Sequence, residues 1–453
     1  MSDKTVLAAA AARLFERGAP PLLHCPELDK DGIRVFASAT HDAVSAVLSE
    51  EHTFTLRQYD ELLEQVLPGT RYLVGENDAN RQVRLRQLHA AQGWLNARLP
   101  GVDPTLPPNL DPGFRGWIAA MAREEASDIL DVLQRRARTG ETINFVREYA
   151  FLLSWRMARR VLGVPAPGRV PWPVPLLLFL RNLTRPGPAL RRKDELGDAL
   201  SALFVQVPLF GHVFGTIAKV DGGIRWLAGK TASAGLAAID EAFDMPEVAP
   251  ETSLLSALVA VQPQFADVRD YRLQARSVLF ELTGALVLIV GKVLSEIAAF
   301  SASDRGREAG IPWSRLVQRL RDPALDAAMR DATIAEMLRL ADTSQLVRRV
   351  RQDCTWRGVQ LKAGDRVVAL VGDAARDEAA FPQAHRFAPD PARPYITSGP
   401  LQGPHVCYGR GIAWTIIAEA IAATAGRIEP APGATLGTFA NLPDDLRFTA
   451  IRQ

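Results

Sequence analysis

Near the C-terminus of the 453-residue chain, Gly403-Pro-His405-Val-Cys407-Tyr-Gly409-Arg-Gly411 sets one cysteine in a glycine-punctuated loop, just ahead of an apolar helical pattern over Ile412–Ala425. The first turn of a helix carries unpaired backbone N–H groups and partial positive charge, which stabilise an anion there. A cysteine at that place is favoured as its thiolate, and a thiolate is a strong ligand for haem iron. Gly403 and Gly409 let the backbone approach a flat macrocycle closely and donate to the sulfur. Taken alone, a loop cysteine has a second reading as a small buried core residue. Upstream stands Glu336-Met-Leu-Arg339, a carboxylate and a guanidinium at i,i+3 on one helix face, a spacing that also occurs on ordinary solvated helices.

These residues need elements to hold them. Apolar positions at 3–4 spacing predict helices over Phe114–Arg138, Ile143–Leu162, Ile311–Arg321 and Ala324–Leu340. A long helix over about Arg269–Phe300 is apolar on nearly every face, with Glu281 and Lys292 as exceptions, so it runs buried through the molecule. The pattern turns to period two at Ile33–Ser38, and again at Cys354–Leu361 and Arg366–Val371, which fit a hairpin-like pair. The predicted class is mainly α with a small β portion (α+β). No composition shift divides the chain, so residues 1–453 form one domain.

Composition narrows the function. The chain is 47% hydrophobic and 23% charged, as in a folded globular protein. Its formal net charge of +2 excludes a general electrostatic grip on nucleic acid. Cys25, Cys354 and Cys407 lie far apart, without CxxC or a His/Cys cluster. That spacing argues against a zinc site or disulfide framework and fits a reducing compartment. The N-terminal run lacks a secretory leader's apolar region. Val170–Leu180 and Leu282–Gly291 are shorter than the roughly 20 residues that span a bilayer. The expectation is a cytoplasmic protein with no transmembrane segment.

Downstream of Glu336 and Arg339 come Arg348-Arg349, Gly358, Ala363-Gly-Asp, Ala374-Ala-Arg-Asp-Glu-Ala-Ala-Phe-Pro, Arg386-Phe387 and then the cysteine loop. In this order and with these gaps the C-terminal part resembles the cytochrome P450 family. Weaker likeness reaches back through Val161-Leu-Gly-Val-Pro165 to Gly32–Phe54. The resemblance implies the P450 fold and haem b, iron protoporphyrin IX, held through Cys407. It implies that His405 meets one haem propionate and Arg349, or its neighbour Arg348, the other. Glu336 and Arg339, with Arg386, would form a buried salt-bridge triad beneath the haem. Family members usually place a His and an Arg on the helix following Gly75; here no His occurs, and Arg84 or Arg81 takes the propionate role unless both lie on a solvated basic face.

Two departures bear on mechanism. Pro400 replaces the family's phenylalanine seven residues before the cysteine, so the thiolate pocket is expected to be more open. On the long helix, Thr283-Gly284 best matches the family's small-Gly start, and the acid and alcohol positions then fall on Leu286 and Val287, which cannot carry protons. Protons must come from water or substrate, or not be needed. Three readings follow. One is a monooxygenase acting on a lipophilic small molecule, fatty-acid, terpenoid or polyketide-like, fed by a separate ferredoxin and ferredoxin reductase. Another is a peroxide-using enzyme, a fatty-acid peroxygenase or hydroperoxide isomerase or dehydratase, in which Arg276 clamps a substrate carboxylate. The last is a haem-binding sensor or carrier without turnover. The apolar pieces Val170–Leu180 and Val207–Phe214 would flank the substrate entrance or simply pack in the core.

Overall fold

A computed structural model describes residues 3–165 and 222–451, apart from 71, 74, 104–105, 107–110, 138–141, 342–343, 397–404 and 440–441. Gly403, Pro400 and the two apolar pieces at 170–180 and 207–214 therefore lie outside the described residues.

Alternation of side chains builds the main sheet. Its strands are β1 (Leu23–His24), β2 (Val35–Ser38), β3 (Phe54–Thr55), β5 (Gln345–Val350) and β8 (Arg366–Leu370), in the order β1-β2-β8-β5-β3. Strand β2 runs parallel to β8, and β5 runs antiparallel to it. Val35, Ala37, Val368 and Leu370 pack on one face with Val6, Leu7 and Leu14 of the Asp3–Leu14 helix. Phe36, Val367 and Ala369 pack on the other with Val44, Val47 and Leu48 of the His41–Ser49 helix. The period of two thus gives each helix its own apolar surface.

The expected pairing of Cys354–Leu361 with Arg366–Val371 is not formed. The first run folds on itself as β6 (Cys354–Trp356) against β7 (Val359–Leu361), with Arg357 and Gly358 both at positive φ in the turn. Strand β8 instead inserts between β2 and β5. The short strand β4 (Ile143–Asn144) pairs with β12 (Arg447–Ala450), which also pairs with β9 (Ile428–Pro430). The second expected helix accordingly begins as a strand, and continues as a π-helical turn, Phe145–Phe151, before α-helix over Leu152–Leu162.

The central helix runs without a break from Tyr271 to Ala302. Among the described residues it alone is long and apolar enough to cross a membrane, yet most of its apolar window is buried within the protein. Its middle, Ala285–Val290, is π-helical. That wide turn touches the Phe145–Phe151 turn, and both lie in the main core. Directly after it, Gly291 is fully enclosed by the Phe151 ring: a Cβ at this glycine would collide with Phe151 Cδ1. Phe151 is itself buried and cannot retreat into water. Gly291→Ala should therefore lower unfolding stability by about 1–3 kcal/mol through overpacking. Urea denaturation checks this; an unchanged midpoint would mean that the contact relaxes freely.

Candidate functional site

Cys407 stands two residues before the Arg410–Ala423 helix, whose N-cap is Gly409. The backbone N–H groups of Gly409 and Arg410 both reach the sulfur and favour its anion, as does the Arg410 charge. Burial outweighs them, and the thiol is pushed above its usual range, with Glu281 adding slightly to the rise. The helix terminus alone therefore does not deliver the thiolate expected from sequence. A metal cation at the sulfur reverses this balance, because a coordinated thiol loses its proton. A Cβ at Gly409 would meet nothing within 4 Å. Toward the rest of the protein, its part in the site is the donor N–H.

Three basic side chains gather beside the cysteine loop. His405 has only 6% of its side chain exposed; Nε2 lies 3.2 Å from Glu51 Oε1, and Nδ1 is buried without a partner. Its pKa is pulled down to about 3, first by burial and then by the charges of Arg81 and Arg348. Arg348, on β5, is buried; its Nη1 donates to the Val347 carbonyl at 3.0 Å. Burial holds its pKa below the usual guanidinium range. Arg81 is buried on the Ala79–Asn96 helix and donates from Nε to the Leu73 carbonyl at 2.6 Å. Buried cations call for counter-anions. Two carboxylates entering here would meet two guanidiniums and an unsatisfied imidazole nitrogen, so the residues present fit a haem propionate pair.

Two of the expected propionate candidates, Arg349 and Arg84, already have partners within the chain. Strand alternation turns Arg349 away from Arg348, and its Nη1 donates to Glu61 Oε2 at 2.6 Å. Of the two, Arg348 is the one whose charge acts on His405. Arg84 is buried rather than solvated, but its Nη1 and Nη2 donate to Gln274 Oε1 (3.0 Å) and the Tyr72 carbonyl (3.1 Å). These bonds tie the Ala79–Asn96 helix to the central helix and to the segment before it, which leaves Arg81 as the guanidinium beside His405.

The central helix supplies an apolar wall. Leu282, Leu286 and Val293 are only partly buried while packed against the main core, a stripe at helical spacing that suits the face of a macrocycle or an apolar substrate. Thr283 sends its hydroxyl to the Leu279 carbonyl at 2.7 Å, and Gly284 closes the α-helical half. Leu286 and Val287 both lie in the π-helical turn. Glu281 accepts the Leu73 N–H and influences Tyr72, Arg81 and Arg84. Arg276 is paired: its Nη1 lies 2.5 Å from Asp240 Oδ2 on the Gly222–Asp244 helix. The carboxylate clamp expected there is thus already satisfied from within the chain.

Beneath the site, Arg339 meets Glu336 through two parallel bonds of 2.8 Å, both side chains being essentially unexposed. The guanidinium also donates to the carbonyls of Ala375 (2.9 Å), Ala384 (2.6 Å) and Arg386 (3.1 Å). Glu336 Oε1 accepts the Ala388 N–H at 2.9 Å. One helical pair thereby fixes four backbone points on the way to the cysteine. Arg386 contributes only its carbonyl; its side chain turns outward to the Glu308 carbonyl. The third charge is Arg393, whose Nη1 lies 3.6 Å from Glu336 Oε1, a partner that nothing in the local sequence marks.

Residues 327–418 match the family model described as "Cytochrome P450". No curated protein matches the chain. Among solved structures, it is similar to P450BioI in complex with acyl carrier protein ligated to hexadec-9Z-enoic acid, at 15% identity and a TM-score of 0.67, covering 99% of each chain. It is also similar to the myxobacterial cytochrome P450 CYP267B1 in complex with myristic acid, at 18% identity and a TM-score of 0.68, covering 98% of this chain and 96% of the other. Cytochrome P450 TxtC, described as performing aliphatic and aromatic thaxtomin hydroxylation, matches at 18% identity and a TM-score of 0.62, covering 95% of this chain and 96% of that one. At these identities the likeness establishes the fold.

Loss of one charge-assisted contact is worth about 1.5–3 kcal/mol. Arg348→Leu should accordingly weaken haem retention by roughly 10- to 100-fold, and Arg349→Leu should leave it near wild type. Competitive haem transfer to an apo-globin measures both; equal loss in the two variants would contradict the assignment to Arg348.

Proposed function

We propose that this chain, which belongs to the cytochrome P450 family and is a haem-thiolate oxidoreductase, monooxygenates a lipophilic small molecule with electrons from a separate ferredoxin and its reductase. The observation that carries the reading is the sulfur of Cys407, held by two backbone N–H groups next to the buried side chains of Arg348 and His405, the latter with an unpartnered Nδ1. Haem b bound there supplies redox chemistry and oxygen activation.

The chain's own residues do the rest. Arg81, Arg348 and His405 hold the propionates and so set the cofactor's orientation. Glu336 and Arg339 fix the loop that carries the ligand. Leu282, Leu286 and Val293 present an apolar surface that orients the substrate. The Thr283 hydroxyl is committed to its own helix, and Leu286 and Val287 hold no proton, so protons reach the distal side through water or the substrate. A fatty-acid, terpenoid or polyketide-like substrate is supported by this apolar wall, and by solved neighbours described with myristic acid and with a carrier-bound hexadecenoic acid. An electron donor that carries a carboxylate would meet the exposed Arg86 on the helix beside the cysteine loop.

A peroxide-driven reaction is the second reading, favoured by the apolar residues at 286 and 287. Against it, Arg276 already has Asp240 as its partner. One comparison separates the two: turnover on fatty acids and terpenoids with NAD(P)H, ferredoxin and reductase, against turnover with a hydroperoxide alone. The proposal expects product from the first, and Leu286→Glu with Val287→Thr should improve coupling of electrons to product. Product from the hydroperoxide alone, with no gain in the double variant, would favour the second reading. In Cys407→Ser the reduced CO complex should lose the absorption of thiolate-ligated haem; its persistence would mean that the ligand is misassigned.

A further inference from the structure

The residue next to the ligand, Tyr408, has a part in neither reading so far. Its hydroxyl donates to Gln92 Oε1, and its ring lies 5.9 Å from the His89 ring, tilted by 31°. His89 and Gln92 are spaced i,i+3 on the Ala79–Asn96 helix, so a single helix face grips Tyr408 at two points. Gln92 is buried and His89 is exposed. The tyrosine therefore spans from the buried face of that helix to its solvent edge.

We infer that Tyr408 is a positioning residue for the sulfur ligand: it clamps the cysteine loop onto the Ala79–Asn96 helix and covers the thiolate side of the haem. The inference rests on the haem-thiolate reading above. Position 408 lies between His405, held among the basic side chains, and the Gly409 and Arg410 N–H groups that reach the sulfur. Fixing it fixes the direction of both donors. The aromatic cover absent at Pro400 is then supplied from the other side of the cysteine. The same helix that carries Arg81 toward the propionates carries Gln92 to this clamp, so one rigid element registers the ring edge and the sulfur together.

The test uses purified haem-loaded protein and reads the ligand directly. The ferrous CO complex is followed as its thiolate-type absorption converts to the thiol-type form, and the ferric–ferrous reduction potential is measured beside it. Tyr408→Phe keeps the ring and loses the donor; Gln92→Leu removes the acceptor. Each should speed conversion roughly three- to tenfold, and the double variant should be no faster than either alone, because both remove one bond. Tyr408→Leu, which also removes the cover, should convert faster still and shift the potential. Effects of Tyr408→Phe and Gln92→Leu that multiply, or a Tyr408→Leu protein with wild-type conversion and potential, would overturn the inference. If Tyr408→Leu fails to take up haem, the Phe and Gln92 variants decide the matter. Wild-type protein without the thiolate absorption would instead defeat the haem-thiolate reading itself.

Discussion

A guanidinium taken out of water must find a counter-charge, and this constraint shapes the molecule. Arg339 finds Glu336, Arg115 finds Asp331, and Arg147 finds Asp444. Each of these pairs joins elements distant in sequence or pins a loop. Beside the cysteine loop the rule is met only in part. Arg81 and Arg348 lie buried with His405, and Glu51 and Glu76 act on the group from its edge. For Arg81, Arg348 and His405 alike burial is the largest influence on the charged form, and His405 Nδ1 has no partner, so the group is fitted to acceptors brought from outside the chain.

The sulfur obeys the same logic with the sign reversed. Two N–H groups and one arginine favour an anion at Cys407, and burial opposes them more strongly. Protein alone therefore holds a thiol, while protein with a cation holds a thiolate. The buried guanidiniums and the buried sulfur are groups of the kind that the carboxylates and the iron of a porphyrin dicarboxylate complement. Fold and cofactor are coupled through these groups rather than through a rigid template.

How much of this the sequence disclosed depends on the distance over which each decision is made. The cysteine loop, the Glu336–Arg339 spacing and the apolar central helix are local patterns, and they were readable. Choosing Arg348 over Arg349 needs the parity of β5, which is set by its pairing with β8. Choosing Arg393 over Arg386 needs the path of a loop folded around a helix. Arg276 looked available because its partner, Asp240, sits on a helix of unrelated register. Strand β8 inserts between β2 and β5 because its two faces serve two helices, a tertiary demand that outweighs the nearest hairpin partner. Tyr408 carried no signal of its own until Gln92 and His89 were brought under it.

The wide turn at Ala285–Val290 divides the central helix into halves with different neighbours. The first half packs against the Ala79–Asn96 and Gly222–Asp244 helices, the second against the Phe145–Phe151 turn and the Ala327–Ala341 helix. Helices bend at such turns. Arg84–Gln274 ties the first half to the helix that carries Arg81 and Gln92, Arg276–Asp240 ties it to the Gly222–Asp244 helix, and Gly291 seats the second half on Phe151. A change of pitch at the wide turn would therefore be shared with both of those helices, one of which meets the cysteine loop at Tyr408.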